Sequence, residues 1–161
     1  MKLETILAPL DGSRLAEAAL EPALELLKDS PGATLVLLRA VEATTLPGAD
    51  PVDAQVAVVR EAESYLESIA ARLARQGVSS VKTSVWYGPP APSIVGAAQA
   101  RRASIIVMST HGRSGLGRLI LGSVAESVVR GTRTPILLVR DHGAPVAVPA
   151  GAARAAETSR V

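Results

Sequence analysis

The run Ile105-Ile106-Val107-Met108-Ser109-Thr110-His111-Gly112-Arg113-Ser114-Gly115-Leu116-Gly117-Arg118, closed by Leu121-Gly122-Ser123, carries most of the architecture of this chain. A short apolar segment enters a glycine-rich loop, and the loop enters a helix-like stretch from Val124 to Arg130. Glycines let a backbone adopt positive φ and approach a ligand closely. A helix start adds unpaired N–H donors and a partial positive charge. Strand, glycine loop and helix start, in that order, suit the holding of phosphate.

Working outward, five strand-like segments alternate with four helical ones. The strands are expected at Thr5 to Pro9, Thr34 to Ala40, Val81 to Tyr87, Ser104 to Ser109 and Pro135 to Val139. They are short, and three are rich in Val, Ile and Leu, as strands buried on both faces tend to be. The helices are expected at Ser13 to Lys28, Asp53 to Gln76, Ala91 to Arg102 and Ser123 to Gly131. In the second, Val59, Ala62, Leu66, Ile69, Ala70 and Leu73 recur at spacings of three and four, which makes one apolar face. Pro22 falls inside the first and predicts a kink or a lost hydrogen bond. Ser123 and Glu126 have the spacing of a capping box. Regular β-α-β alternation implies right-handed crossovers and a parallel sheet. Ligands of such sheets sit beyond the carboxyl ends of the strands, where strand order reverses. That makes Ala8 to Asp11 and Met108-Ser109 natural neighbours of one cleft, with Glu42 to Val52 read as a mobile loop able to cover it.

Composition narrows the class. The chain has 161 residues, enough for one domain with its own core. Hydrophobic residues reach 48% but aromatics only 2%, with no Phe, so the core is built from Ala, Val, Leu and Ile. No cysteine is present, which excludes disulfides, thiol catalysis and Cys-ligated metals. Of the two histidines, His111 and His142, the second falls in the expected disordered tail, so a histidine-ligated metal site is not expected. A net charge of +2, without a basic stripe or stacking aromatics, argues against nucleic-acid binding. The N-terminus lacks a signal-peptide layout and no apolar run approaches the roughly 20 residues that span a bilayer, so a cytoplasmic protein is expected. Residues 1–140 read as the domain and 141–161, rich in Ala, Pro and Gly without periodicity, as a disordered tail.

Two common phosphate motifs are excluded. A Walker A loop requires Gly-Lys followed by Ser or Thr, and the loop here contains no lysine. The dinucleotide fingerprint should follow the first strand, where Pro9-Leu10-Asp11-Gly12-Ser13 offers one glycine.

What does match is Gly112, nine residues, then Gly122-Ser123, preceded by Met108-Ser109-Thr110-His111 and accompanied by Ile6-Leu7-Ala8-Pro9-Leu10-Asp11-Gly12-Ser13 near the start. From about Leu3 to Val139 this resembles the universal stress protein family, in its nucleotide-binding branch. That branch carries Gly-x-x-Gly, nine residues, then Gly and Ser or Thr; Ser109 stands here for its first glycine. The resemblance implies an α/β fold, a single-domain Rossmann-like five-stranded parallel sheet with helices on both faces. It also implies ATP as ligand, with Mg2+. Pro9, Leu10, Asp11 and Ser13 would border the nucleoside, with Asp11 near ribose hydroxyls or a magnesium-bound water. Val41 would line the adenine site. Ser109, His111, Gly112 and Arg113 would wrap the phosphates, Met108, Ser114 and Gly115 would belong to the same binding site, and Gly122, Ser123, Val124 and Ala125 would give helix-start donors.

Plainer roles suit the same residues: Asp11 as a cap of the first helix, Ser123 as an N-cap alone, the glycines as a tight turn. A serine at 109 is harmless with negative φ and damaging where positive φ is required. ATP hydrolysis needs a positioned base and charge stabilisation, and Asp11 is the one obvious carboxylate beside the site, so at most slow turnover is expected. The leading expectation is a nucleotide-responsive regulator in stress response. The alternatives are a homodimeric, chaperone-like protein without ATP, and a binder of cyclic AMP. The resemblance further implies a homodimer through Pro135 to Val139, and an apolar edge strand does need a partner.

Overall fold

The computed structural model describes residues 2–44, 48, 50–110 and 121–140. In chain order the elements are β1 (Thr5–Pro9), α1 (Arg14–Glu17), α2 (Leu20–Lys28), β2 (Thr34–Val41), α3 (Pro51–Arg75), β3 (Val81–Tyr87), α4 (Pro90–Ala100), β4 (Ile105–Thr110), α5 (Ser123–Gly131) and β5 (Ile136–Arg140). The five strands form one sheet in the order β3-β2-β1-β4-β5, and every neighbouring pair is parallel. The expected α/β architecture is therefore present, with strand boundaries displaced by at most one residue.

Strand side chains alternate between two cores. Ile6 and Ala8 of β1, Leu35 and Leu37 of β2 and Val107 of β4 join α1, α2 and α3 on one face. Leu7, Val36, Leu38, Ile106 and Met108 join α4 and α5 on the other. Both faces are apolar, so the strands read in the sequence as continuous hydrophobic runs. The apolar stripe of α3 packs as expected, through buried Ala62, Leu66, Ile69 and Leu73.

Three local expectations need correction. The first helix is two helices, broken at Ala18-Ala19. Pro22 has no N–H for the Ala18 carbonyl, one helical turn back, and its ring crowds that turn. The chain tightens there through Ala18 N–H to Leu15 O and Ala19 N–H to Ala16 O, each 3.2 Å, before Ala23 N–H to Ala19 O restarts the α-helical ladder. Second, α3 begins at Pro51, so Pro51 and Val52 are helical rather than part of a covering loop. The Asp50 carboxylate caps it, accepting from Val52 N–H at 2.7 Å, and proline suits the first helical position because that N–H has no partner anyway. Third, Ser123 is not the cap of α5. Gly122 occupies that position, and the first helical bond runs from Glu126 N–H to Gly122 O at 2.9 Å. Glu126 pairs with Arg130 at 2.8 Å instead of closing a capping box.

The strand order sets the site. The chain steps from β1 to β2 to β3, and α4 then carries it back across the sheet to β4, on the other side of β1. β1 and β4 pair only through Ile6–Ile105 and Leu7–Ile106. Beyond those residues β1 stays with β2 as far as Pro9, and β4 stays with β5 as far as Thr110. The two strands part at their carboxyl ends, which opens a crevice at the reversal of strand order.

Candidate functional site

A cavity of about 260 Å³ occupies that crevice. Pro9, Leu10, Asp11 and Ser13 form one wall, Met108 and Ser109 the floor from β4, and Gly122, Ser123, Val124 and Ala125 the opposite wall. The structure thus brings together ten of the residues singled out from the sequence. Leu15 and Ala16 of α1, Ala40 of β2, and Pro90 and Ile94 of α4 are the other described residues that line it. His111, Gly112, Arg113, Ser114 and Gly115 lie outside the described residues, as does the tail from 141 to 161.

Val41 does not line the cavity; Ala40 does. The reason is strand parity. Val36 and Leu38 face α4 and α5, so Ala40 follows them toward the cavity, while Arg39 and Val41 fall on the α3 side. The Val41 carbonyl is engaged elsewhere, accepting from Gly88 N–H at 2.9 Å. The contributions of Pro90 and Ile94 had a sequence signal in Pro89-Pro90, since proline favours the first turn of a helix and places the start of α4 at the carboxyl edge of β3.

The wall made by α5 is its first turn. A helix leaves its first N–H groups without intrahelical acceptors. With glycine as the cap, no side chain covers those of Ser123, Val124 and Ala125. All three residues line the cavity, so donors and the positive end of the helix dipole meet there. From Tyr87 to Arg140 the chain contains one carboxylate, Glu126, and its pairing with Arg130 reduces its opposition to an anion. Asp11 supplies the negative charge on the other wall. Its Oδ1 accepts Ser13 N–H at 2.8 Å, and the hydroxyl of Ser13, not Asp11, caps α1 by accepting Ala16 N–H at 3.1 Å. Capping therefore does not account for Asp11.

Ser109 sits inside β4 opposite Val139. Among the described residues the one non-glycine with positive φ is Arg102, so Ser109 has a backbone that any residue adopts. Serine at this position leaves the strand path intact.

Behind the Asp11 turn, on the α3 side of the sheet, lies a polar network that sequence reasoning missed. Arg39 pairs with Glu61 at 3.1 Å and stands 5.1 Å over the Tyr65 ring. The Tyr65 hydroxyl donates to Glu17 Oε1 at 3.1 Å, and Glu17 also pairs with Arg72 at 2.6 Å. Burial of the ring, reinforced by the Glu17 carboxylate, pushes the Tyr65 phenol up from 10.0 to about 12. The neutral phenol binds its proton more tightly in the folded chain than in the unfolded one. The associated stability is complete below the unfolded value of 10.0 and is lost as pH rises through about 12. In Tyr65→Phe that alkaline loss disappears, so its stability relative to wild type improves between those limits. Phenolate absorbance against pH, together with denaturant unfolding of both proteins, checks it.

Known proteins place this geometry. Universal stress protein MJ0531 of Methanocaldococcus jannaschii is 30% identical over 140 residues, covering 84% of this chain and 81% of the relative. The solved structure of MJ0577, from the same organism, is 28% identical with a TM-score of 0.73 and covers 88% of this chain and 98% of its own. A universal stress protein solved in complex with cAMP, at 21% identity, shares the fold with a TM-score of 0.68, covering 86% of this chain and 98% of that one. A sequence model of the universal stress protein family matches residues 2–140. With that match across the sheet, the cavity and α5, the chain belongs to the universal stress protein family.

Proposed function

We propose that the cavity binds an adenine nucleotide, ATP with Mg2+, and that the protein is a cytoplasmic, nucleotide-responsive regulator in stress response. One observation carries this reading: the start of α5, capped by glycine with no side chain on its N–H groups, lines through Ser123, Val124 and Ala125 the same cavity that Asp11 lines. Backbone donors at a helix start suit phosphate oxygens. A carboxylate across the cavity suits ribose hydroxyls or a water on magnesium, and the apolar surfaces of Leu10, Leu15, Ile94 and Met108 suit a flat base. The family resemblance adds the loop from His111 to Gly115 to the phosphate side. The neighbour solved with cAMP has the same fold around an adenine nucleotide of its own. Among the described residues Asp11 is the one carboxylate lining the cavity, which supports slow turnover at most.

Calorimetric titration of nucleotide-free protein with MgATP, alongside cAMP, tests the reading. Saturation near one ATP per chain supports it. Heat from cAMP alone transfers the site to a second messenger, and silence with both overturns it.

A second copy of the chain is the proposed partner. β5 pairs only with β4 among the described residues, and Leu138 on it is 37% exposed. An open apolar edge at the rim of a sheet recruits another strand. A monomer by light scattering at micromolar concentration overturns this part.

A further inference from the structure

Behind the turn that carries Asp11 to the cavity stands the side chain of Arg39. Leu10 N–H donates to Leu38 O at 2.8 Å, which extends the β1–β2 ladder one step beyond the strand. The chain then reverses at Gly12, where φ is +88°. A Cβ at Gly12 would stand 3.6 Å from the nearest guanidinium nitrogen of Arg39 and 3.7 Å from its central carbon, so the guanidinium stands directly beside the turn, on the side where a side chain at Gly12 would project. Cavity and guanidinium occupy opposite sides of it, because Arg39 shares the α3 face of β2 while Ala40 faces the cavity.

Arg39 itself is tightly placed. Its side chain is 15% exposed, with Glu61 at one end and the Tyr65 ring beneath its plane. Both partners belong to α3, and Tyr65 is tied in turn to Glu17 of α1. The same guanidinium therefore binds α3 and stands beside the Asp11-Gly12 turn.

We propose that Arg39 is a positioning residue for the cavity: it backs the Asp11-Gly12 turn and joins its geometry to the long helix α3. Arg39 does not line the cavity. It acts through the turn, by fixing where the Asp11 carboxylate stands and by keeping Ser13 N–H on Asp11 Oδ1. Lysine is a poor substitute, since an ammonium has no planar face for the ring and no fork to meet Glu61 and the turn together. The functional half of this inference rests on the nucleotide reading above; the structural half does not.

The test has two arms. In ligand-free wild type, Arg39→Met and Arg39→Lys, amide hydrogen exchange is followed at Ser13, whose N–H is held by Asp11, and at Ala16 of α1, whose N–H is held by Ser13. Faster exchange there in both variants, with α4 amides unchanged, is the expected result. In the second arm MgATP and AMP are titrated. Both affinities should fall by the same factor, roughly three- to thirtyfold for a residue that couples without contact. A larger loss for ATP than for AMP would place the guanidinium on the phosphates and overturn the positioning role. Unchanged exchange and unchanged affinities overturn it entirely. Where wild type binds no nucleotide, the nucleotide reading fails and the exchange arm alone decides the case of Arg39. Glu61→Gln, which loosens one end of the guanidinium at the surface, gives a milder shift of the same sign and serves if neither Arg39 variant folds.

Discussion

With the cavity binding MgATP as proposed, Gly122→Val is expected to lower that affinity by at least about a hundredfold while the protein remains folded. Hydrogen bonds to a charged group contribute roughly 1.5–3 kcal/mol each, so withdrawing a phosphate from two of the three N–H groups at the start of α5 suffices. Gly122 has φ −59° and ψ 152°, a conformation open to any L-residue, so valine fits the backbone and its branched side chain enters a wall of the cavity. Valine ranks well below glycine as a helix cap, and the fold loses about 1 kcal/mol or less, a few degrees of melting temperature. Gly122→Ser separates the two effects. A serine hydroxyl is a good cap and takes one of the free N–H groups, so stability rises by a few tenths of a kcal/mol while affinity still drops. Calorimetry for binding and thermal unfolding for stability measure both. Unchanged affinity in Gly122→Val would mean that the ligand sits away from α5.

The alternation of apolar segments with helical periodicity was enough to name the sheet, because strands buried on both faces and a helix with one apolar stripe leave different signatures. Boundaries were less legible where a cause and its effect stand one turn apart. Pro22 was recognised as a breaker, yet the break lies at Ala18-Ala19, since a missing donor is felt by the carbonyl four residues earlier. Asp50-Pro51 carries both signals of a helix start, but two prolines and a glycine nearby suggest a mobile segment and mask it. Ser123 and Glu126 fit a capping box, but the helix begins one residue earlier and Glu126 finds Arg130. Local pattern describes what a residue is able to do, and the tertiary start of the helix selects among the options.

The cavity was legible to the extent that its parts lie at strand ends and helix starts. The end of β1, the end of β4 and the start of α5 follow from the β-α-β order, and all three meet there. Val41 against Ala40 is a one-residue error of parity, which flips a side chain to the opposite face. The network around Arg39 left no signal at all. Arg39 and Glu61 are 22 residues apart, and Glu17 and Arg72 are 55 apart; Glu17, Glu61 and Arg72 read locally as solvated charges on helix surfaces, and the lone charge of Arg39 in the apolar run of β2 names no partner. Only the packing of α3 across β2 brings them behind the Asp11 turn.

That packing makes α3 the place for the second large effect. Leu66 is fully buried between α3 and the sheet, in the core formed with Leu35, Leu37, Ile69 and Leu73. Truncation to alanine removes buried methyl groups and leaves a void that a sheet flanked by helices closes only in part, at a cost of about 2–5 kcal/mol. For a domain of this size the melting temperature falls by about 2–4 °C per kcal/mol. Val52, near the opposite end of the same helix, is 65% exposed. Val52→Ala removes little buried area and replaces a β-branched residue by the best helix former, so stability changes by about 0.5 kcal/mol or less, in either direction. Denaturant unfolding of both variants, with the slope against denaturant unchanged, measures the contrast. It follows directly from α3 beginning at Pro51, ahead of the stripe that starts at Ala62: the first turns stand clear of the core and the later ones are clamped to it. A comparable loss in Val52→Ala would show that a partner surface covers those first turns in solution.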